Sequence, residues 1–551
     1  MEQMRLLIAI ALSFAIFFLW SMFFAPKQPE QVETPGQEIS ETETTRAAEP
    51  QNASAVPKEE TAQIAVAPPV SGRVARNITV ESPLYKMTLS EKGAAVVSMV
   101  LKKYRETVDP DSKMKELISK DIANGSVLVS MKSESGMVNE YGIYQVDQSA
   151  DSLQVGQSPL TLRFRYVTPN GIQVEKAYRF VKDSYLIGLS VTILNGSNHA
   201  VTELVSVSLK DHVDATKGAY GFEGPSSLIN EKLEQTKLKK IADNGVLEGK
   251  IRWSAIETRY FMSSLILKEA VQGKILLSYE NNVVSSTLET DQEALAPNET
   301  RTLNYDIFMG PKSVSLLKSF NNELDRAIYF GWVDILAKPC LWFMNFIYSF
   351  IPNYGVAIII LTIVTRCIFW PLANKSYKSM GEMRKLQPLM KEIREKYKDD
   401  KQKMNQEMMG LYRTYKINPM GGCLPMLVQL PVFFALYRML YQAIELRHAP
   451  FVWWINDLSA PDRLFNFGFK IPFMEPPYGI PVLTLIMGAT MFLQQKMTPT
   501  PGDPTQAKMM MFLPIIFTFI FINFSSGLVL YWMISNIISI TQQYYTQKKL
   551  A

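Results

Sequence analysis

The sequence predicts an α-helical membrane bundle joined to a large all-β domain on the outer side of the membrane. Three features of its 551 residues indicate this. Residues 6–25 are an uninterrupted apolar stretch, residues 77–319 hold short alternating runs with turn signals, and residues 354–551 hold five more apolar segments. A bilayer core of about 30 Å needs roughly 20 apolar residues in one helix, whereas period-two alternation is typical of half-buried strands. The two halves therefore belong to different structural classes.

Composition excludes several classes of protein. Lys and Arg number 57 against 52 Asp and Glu, a net charge of +5, so there is no general electrostatic signal for nucleic acid and no direct nucleic-acid specificity is expected. The three cysteines and three histidines are scattered, which favours neither a disulfide framework nor a metal site. No metal or other cofactor is expected. These scattered residues are Cys340, Cys367, Cys423, His199, His212 and His448.

The N-terminal residues 1–25 are interpreted as a transmembrane signal anchor. The apolar stretch is long enough to cross a bilayer and longer than the apolar region of a cleaved signal peptide. Arg5 precedes it, which predicts a cytoplasmic N-terminus. Residues 26–76 follow as a linker rich in Pro, Glu, Gln and Thr; residues 26–70 have no aromatic side chain, and we expect them to be disordered.

Residues 77–319 are predicted to form the all-β domain. Alternating apolar residues are followed by the turn sequence TPNG at 168–171 and by a second alternating run, which is typical of a β-hairpin. Many such short runs predict a large antiparallel sandwich. No apolar span interrupts the domain, so it should lie outside the cytoplasm. The alternating residues of the first run are Leu160, Leu162, Phe164 and Tyr166.

Residues 320–353 are predicted to contain an interfacial amphipathic helix. This region is aromatic and apolar but includes Asp334, Lys338 and Pro339, which disfavour a span and favour a helix along the outer membrane surface.

The five C-terminal segments are predicted spans, at residues 354–372, 424–441, 480–493, 509–522 and 528–540. Residues 374–418 carry twelve Lys and Arg against six Asp and Glu, so the positive-inside rule places this loop in the cytoplasm. The C-terminus then lies in the cytoplasm and residues 442–479 form a periplasmic hairpin.

The cytoplasmic loop at 374–418 is predicted to be a helical hairpin. Apolar residues recur at three- and four-residue spacing on both sides of the sequence KDDK, as in a coiled coil, and Pro388 should interrupt the first helix. The recurring residues can simply hold the two helices together, but exposed methionines also offer an adaptable surface for apolar ligands. The candidate contact residues are Met380, Met383, Met408 and Met409.

Arg366 lies inside the first of the five spans. An arginine at the centre of a span costs about 2.5–3.5 kcal/mol on insertion scales, and less near an edge. Its side chain can bend to the headgroups without further consequence. Other spans also contain polar residues, and a charge together with several such residues predicts a wet cavity among the helices. These residues are Thr362, Gln429, Thr518, Asn523, Ser535 and Asn536.

Several motifs resemble one known family. They are YKINPMGGCLPMLVQLPVFFALYRML at 415–440, ELRHAPFVWWINDLSAPD at 445–462 and FSSGLVLYWMISNIISITQQ at 524–543, together with Arg366. In these the chain is similar to the YidC membrane-protein insertases of Gram-negative bacteria, over nearly its whole length. The likeness of residues 77–319 rests mainly on their position in the chain.

The resemblance implies a five-helix core around a hydrophilic groove that opens to the cytoplasm and to lipid, and a periplasmic β-supersandwich without a catalytic role. It implies an insertase and chaperone, not an enzyme, that works alone or with the Sec translocon and its accessory subunits. Nascent membrane proteins, the ribosome, the signal recognition pathway and lipids are the implied partners. Trp532 stands where a second Tyr is common in the family, and Asn523 where an aromatic residue can occur. The implied groove residues are Arg366, Thr362, Gln429, Thr518, Asn523, Tyr531, Trp532 and Ser535.

Three other functions are compatible with parts of the sequence. A transporter for a small anion would also place an arginine in the membrane, but it favours internal inverted repeats, and none is evident. An intramembrane enzyme would need a Ser/His pair, an HExxH motif or paired aspartates in the spans. A carbohydrate-binding scaffold would place the function in the β domain. The chain contains no GxxxxGK[ST] loop, so nucleotide hydrolysis is not expected.

Overall fold

The computed structural model describes residues 74–119, 121–133, 136–138, 141–214, 221–290, 292–415, 424–498 and 504–550. The predicted anchor at 1–25, and the linker at 26–76 apart from its last three residues, lie outside this range. The description that follows concerns the β-rich part, the helical part and the contacts between them.

The first sheet contains five strands in the order β4-β3-β2-β1-β8. Its strands pair antiparallel except β1 and β8, which are parallel. Along β1 buried positions alternate with more exposed ones, as expected for a sheet with one face on a core. The strands are β1 Asn77–Glu81, β2 Tyr85–Ser90, β3 Ala95–Arg105, β4 Met114–Glu116 and β8 Ser152–Gln154.

The second sheet contains fourteen strands, and the main path runs β6-β5-β12-β17-β16-β19-β11-β10-β9-β7. The predicted hairpin at TPNG is confirmed, because β9 and β10 pair antiparallel on either side of it. Gly171 in this turn has φ +82°, a conformation that glycine adopts without steric cost. The bounds are β5 Leu128–Ser133, β6 Gly136–Val138, β7 Gln145–Val146, β9 Leu160–Val167, β10 Ile172–Phe180, β11 Leu186–Asn195, β12 Val201–His212, β13 Gly224–Ile229, β14 Lys232–Gln235, β15 Val246–Glu257, β16 Phe261–Glu280, β17 Val283–Thr290, β18 Glu293–Leu295 and β19 Thr300–Pro311.

A buried lysine connects the two sheets. The Lys176 side chain on β10 is 0% exposed, and its ammonium donates hydrogen bonds of 2.8–3.0 Å to three backbone carbonyls. Tyr178, two residues later on the same face, donates to the carbonyl of Ala94. The β10 face is therefore fixed to the first sheet by polar contacts as well as by apolar packing. The three carbonyls that accept from Lys176 belong to Gly93, Ala94 and Val127.

The C-terminal part is helical. Its described helices are α1 Val314–Ser319, α2 Asp334–Phe350, α3 Tyr354–Ile368, α4 Trp370–Lys385, α5 Gln387–Lys396, α6 Lys401–Thr414, α7 Leu424–Gln442, α8 Val482–Met497, α9 Pro504–Phe521 and α10 Ser526–Leu550. The loop between α7 and α8 contains two short paired strands, β20 Leu464–Phe467 and β21 Tyr478–Ile480.

By length and composition, no single helix in the described residues is apolar enough to cross a membrane alone. The bent pair Tyr354–Ile368 and Trp370–Lys385 passes the same test together, with 64° between the two helices. The bend follows Arg366 closely, and Pro371 near the start of the second helix lacks the N–H that would continue the first.

Helix α2 corresponds to the region predicted as an interfacial helix. Ala337, Leu341 and Met344 are buried along one face. Trp342, Phe346 and Phe350 are exposed on the other side. A helix with apolar residues on its outer face as well is compatible with contact to lipid.

The predicted cytoplasmic hairpin consists of the end of α4 with α5 and α6. The predicted interruption at Pro388 is present, because α4 ends at Lys385 and α5 begins at Gln387. Met383, Leu386 and Met390 form its small core, and Met408 packs at the edge of this core. Of the other candidate contact residues, Met409 is exposed and Met380 is half-buried beside Ser376.

Two arginines connect the β domain to the helical part. Arg259, after β15, donates to the carbonyl of Tyr441 at 2.8 Å and lies 3.5 Å from the centre of its ring. Arg447, beyond the end of α7, donates to the carbonyls of Arg105 and Glu106. Both contacts are at the end of α7 that leads into the loop toward α8, so the β domain lies against this end of the helices.

Candidate functional site

Arg366 lies near the end of α3, which begins with a side-chain cap. The Asn353 side chain accepts from the backbone N–H of Val356, which satisfies one of the free donors at the helix start. Arg366 is twelve residues beyond the first residue, Tyr354, and therefore about 18 Å along the helix. It is far from the end of the bundle that faces the β domain.

Two neutral side chains from other helices hold the Arg366 guanidinium. Its Nε donates to Ser535 Oγ on α10 at 2.8 Å, and Nη2 donates to the same oxygen. Its Nη1 donates to Gln429 Oε1 on α7 at 3.2 Å. The structure thus brings together three residues, from three helices, that the sequence predicts for one groove.

The surroundings orient the charge of Arg366 without neutralising it. Among the described residues no carboxylate forms an ion pair with the guanidinium. Tyr531, one turn before Ser535 on α10, is buried beside Gln429 and Ser535. A guanidinium has five N–H donors, so one that uses three of them can still bind a carboxylate. The arrangement is suited to binding an acidic or polar group, not to bond-breaking chemistry.

Trp532 belongs to an aromatic cluster on the side of Arg366 that faces the β domain, which is called the outer side below. Its ring lies 4.7 Å from those of both Phe433 on α7 and Phe521 on α9, measured between centroids. Phe521 in turn lies 4.8 Å from Phe524. Four large rings, three on helices and one in the turn between α9 and α10, therefore form an apolar layer between the polar residues around Arg366 and the loops near the β domain.

Beyond the aromatic cluster, the loop between α7 and α8 caps the outer ends of the helices. Asp462 is buried and accepts from the N–H of Leu483 and the hydroxyl of Thr484 at the start of α8. Arg463 donates at 2.9 Å to the carbonyl of Ile522, just past the end of α9. An anion at a helix start and a cation at a helix end both complement the helix dipole.

Backbone carbonyls of the same loop also accept hydrogen bonds at the starts of two further helices, α10 and α3. The carbonyls of Leu458 and Ala460 accept from the N–H groups of Gly527 and Ser526 at the start of α10. The Asn353 side chain before α3 donates to the carbonyl of Phe451 at 3.1 Å. Helix ends otherwise leave backbone groups that need water, so these contacts fix the loop to the starts of α10 and α3.

In the opposite direction, polar contacts continue along α10. Asn536 donates to Thr490 on α8 at 3.2 Å. Gln542 donates to Asn374 on α4 at 2.8 Å, and Ser539, between them, is buried. From Ser535 onward, α10 therefore contacts α4 and α8 through polar side chains.

Three predicted groove residues form hydrogen bonds with groups other than Arg366 in the part of the chain that the structure describes. Thr362 is buried and its hydroxyl donates to the carbonyl of Ile358 in its own helix. Thr518 donates to the carbonyl of Pro514 and packs against Gly488, where α8 and α9 approach closely. Asn523 binds the outer loop, donating to the carbonyl of Phe473. These side chains lie between helices or at the outer end.

Several residues of this site are not among those predicted. Ser539, Gln542 and Thr546 follow Ser535 at helical spacing, so extending the polar pattern of α10 toward its end would have found them. Asp462 and Arg463 cap helices that lie elsewhere in the sequence, and no local pattern indicates this role. Within the described residues, no group of three or more His, Cys, Asp or Glu side chains could hold a metal ion.

Two family models match the chain. Residues 77–343 match the YidC periplasmic domain, and residues 346–551 match the 60Kd inner membrane protein family. Together the two matches cover all of the described β domain and nearly all of the helical part.

Curated relatives match at full length. A membrane protein insertase YidC from Syntrophus aciditrophicus is 41% identical over 562 residues, covering 99% of this chain and 99% of the relative. One of the same name from Pelobacter propionicus is 38% identical over 558 residues, with the same coverage. A solved structure, described as an active YidC insertase crystal structure with the first transmembrane domain resolved, is 20% identical and covers 86% of this chain and 93% of its own, at a TM-score of 0.37.

Proposed function

Because this chain belongs to the YidC family of membrane protein insertases, whose members are inner membrane proteins with a periplasmic domain, we propose that it receives nascent membrane proteins at Arg366. A polar segment of the substrate enters from the cytoplasm and binds near Arg366, and the adjoining apolar helix moves sideways into lipid. The observation that carries this proposal is the guanidinium held by Ser535 and Gln429 with no carboxylate partner among the described residues.

The proposed orientation places the β domain in the periplasm and the hairpin of α4 to α6 in the cytoplasm. The chain is anchored in the bacterial inner membrane, and both termini lie in the cytoplasm. The basic loop at 374–418 supports this orientation. The loop between α7 and α8, here called the capping loop, and the aromatic cluster then lie on the periplasmic side of Arg366. The polar residues of α10 lie on its cytoplasmic side. Water and substrate therefore reach Arg366 from the cytoplasm alone.

The energetics support acidic and polar segments as substrates. A carboxylate 4 Å from a guanidinium gains about 4 kcal/mol at an effective dielectric constant of 20, and less in a wet site. With the cell interior negative, each acidic charge that moves outward gains about 2.3 kcal/mol per 100 mV. Burial of the following apolar helix adds roughly 25 cal/mol per Å². These terms favour insertion without nucleotide hydrolysis.

The remaining substrate-contacting residues and partners follow from the same proposal. Tyr531 and Trp532 contact the substrate helix on the periplasmic side of Arg366. Thr362, Thr518 and Asn523 support the helices around the groove. The exposed Met409 and half-buried Met380 on the cytoplasmic hairpin contact the incoming segment before it enters, with Met383 and Met408 holding the hairpin together. The chain acts alone or beside the Sec translocon and its accessory subunits, and takes clients from the ribosome and the signal recognition pathway.

Photocrosslinking to a stalled nascent chain tests this function. A photoreactive residue in place of Gln429 should crosslink to a nascent membrane protein whose first apolar helix has just left the ribosome. The same residue in place of Val246, which is exposed on the β domain, serves as the control. No crosslink at position 429 with a client that the chain demonstrably inserts would contradict the proposed route.

A further inference from the structure

The loop between α7 and α8 also exposes a group of aromatic side chains. Residues 463–480, here called the aromatic hairpin, include β20, β21 and the turn between them. Phe465, Phe469 and Phe473 are 67%, 66% and 86% exposed. Water-facing surfaces rarely expose three large apolar side chains within nine residues of sequence, so this hairpin requires a partner that buries them.

Two of these phenylalanines have a constrained backbone. Phe465 and Phe473 both have φ +63°, the left-handed region that costs an ordinary residue about 1–2 kcal/mol. Phe467 stacks on Phe469 with their ring centres 5.4 Å apart, which adds a fourth ring to the hairpin. The aromatic surface is therefore a property of an ordered hairpin.

The position of the hairpin identifies the partner. Asn523, two residues past the end of α9, donates at 3.0 Å to the carbonyl of Phe473, and its own side-chain oxygen accepts from the N–H of Glu475. Phe473 is thus at the level where α9 ends. On α9 itself, Phe519 and Ile520 are exposed and directly precede that end. The aromatic hairpin continues the exposed apolar face of α9.

We propose that the aromatic hairpin inserts into the outer leaflet of the inner membrane, with its phenylalanines at the boundary between lipid headgroups and acyl chains. Aromatic side chains are enriched at this boundary. Lys470, exposed at the turn, is placed to contact lipid phosphate. Trp453, exposed on the preceding stretch of the same loop with φ +54°, provides a second aromatic contact at this end of the bundle. The hairpin thereby fixes the depth of the capping loop relative to the bilayer.

Spin labelling in vesicles tests this assignment. The full chain is prepared without its native cysteines, as Cys340→Ala, Cys367→Ala and Cys423→Ala, and a single cysteine is introduced by Phe473→Cys and labelled with a nitroxide. It is reconstituted in vesicles of phosphatidylethanolamine and phosphatidylglycerol. Oxygen partitions into lipid and a nickel chelate remains in water, so the ratio of their effects on spin relaxation reports depth. Val246→Cys is the water control and Phe519→Cys the lipid control.

We expect the oxygen-to-nickel ratio at position 473 to be several-fold higher than at 246 and similar to that at 519. A ratio at 473 equal to that at 246 would place the hairpin in water and overturn the assignment. Exclusion of both reagents at 473 would indicate a protein contact, such as a second copy of the chain, and would overturn it as well. A low ratio at 519 would instead show that the end of α9 is not in lipid, which would contradict the membrane bundle on which the proposed function rests and overturn the assignment with it, so the two failures are distinguishable.

Discussion

The β domain and the helical part each bury a cation among uncharged acceptors, but they hold it in different ways. Lys176 is fully buried and donates to three backbone carbonyls of the sheet region. Arg366 is half-buried and donates to the side chains of Ser535 and Gln429. Backbone carbonyls cannot turn away without moving the chain on either side of them, whereas a hydroxyl and an amide can rotate toward another partner. The absence of a carboxylate partner thus accompanies a structural role for Lys176 and fits the substrate binding proposed for Arg366.

Replacing Lys176 should have the largest effect on stability. Lys176→Met keeps the apolar stem but leaves three buried carbonyls without their donor, and each unsatisfied group costs about 1–3 kcal/mol. We expect the free energy of unfolding of the β domain to fall by at least about 3 kcal/mol, measured by chemical denaturation of the solubilised chain with circular dichroism. Lys86→Met on the exposed side of β2 is the matched control, with an expected change within about 0.5 kcal/mol. Equal denaturation midpoints for the two variants would show that the three carbonyls do not need the hydrogen bonds from Lys176.

Replacing Arg366 should affect insertion more than folding. Arg366→Ala removes the charge that attracts an acidic tail, and we expect insertion of such substrates to slow about tenfold or more, which corresponds to about 1.4 kcal/mol or more. Substrates with neutral tails should be affected less. Rates are measured in vesicles containing the purified chain, with protease protection of the translocated tail as the readout.

Arg366→Lys is the matched variant for this comparison. It keeps the charge but loses the planar, forked donors. We expect it to retain most of the insertion of acidic tails. A loss as large as that of Arg366→Ala would mean that the geometry of the hydrogen bonds to Ser535 and Gln429 matters more than the charge.

The burial of Lys176 should make the stability of the β domain depend on pH. Burial lowers the pKa of Lys176 from its ordinary value to about 7, because desolvation disfavours the ammonium form. Between pH 7 and the unfolded pKa near 10.4, the unfolded chain binds more protons at this site than the folded chain, so stability rises with pH. The slope approaches about 1.4 kcal/mol per pH unit for one group and vanishes below pH 7.

This slope is isolated by subtraction. The difference in free energy of unfolding between the native chain and Lys176→Met is measured at pH 6, 7, 8 and 9, since the Met variant lacks the titrating group. We expect the difference to change little between pH 6 and 7 and to increase above pH 7. A difference that stays flat up to pH 9 would show that the carbonyls keep the ammonium charged.

The sequence predicts much of this architecture because local patterns carry it. Alternation and the TPNG turn predict the hairpin of β9 and β10, and mainly apolar runs predict α3, α7, α8 and α10 to within a few residues, apart from the inward extension of α10. A charged or amide side chain in an apolar run is conspicuous, so Arg366 and Gln429 are identifiable from the order of amino acids alone.

What the sequence does not predict depends on contacts between distant segments. Thr518 and Asn523 are polar residues near or within the same apolar run, yet one packs against Gly488 and the other binds the carbonyl of Phe473. Which way a side chain points depends on how each helix is rotated in the bundle, and composition does not specify this. Likewise Asp462 caps α8 from a point about twenty residues earlier, through a loop whose path only the folded structure defines.

The smallest effect expected is at Asp462, and it tests the proposal that the loop between α7 and α8 closes the bundle on the side of the β domain. Asp462→Ala removes the acceptor for the N–H of Leu483 and the hydroxyl of Thr484, which should cost about 0.5–2 kcal/mol, as for other helix caps. Asp462→Asn keeps an oxygen at this position and should cost less, since Asn caps helix starts about as well as Asp. Both are measured as shifts in thermal unfolding of the solubilised chain. If the loop closes the periplasmic side, Asp462→Ala should also increase labelling of a cysteine placed at Gln429 by a reagent confined to that side, while Asp462→Asn should not. Any broken helix cap lowers stability. A lower stability of Asp462→Ala with an unchanged labelling rate would therefore show that Asp462 caps α8 but does not close the path to Arg366.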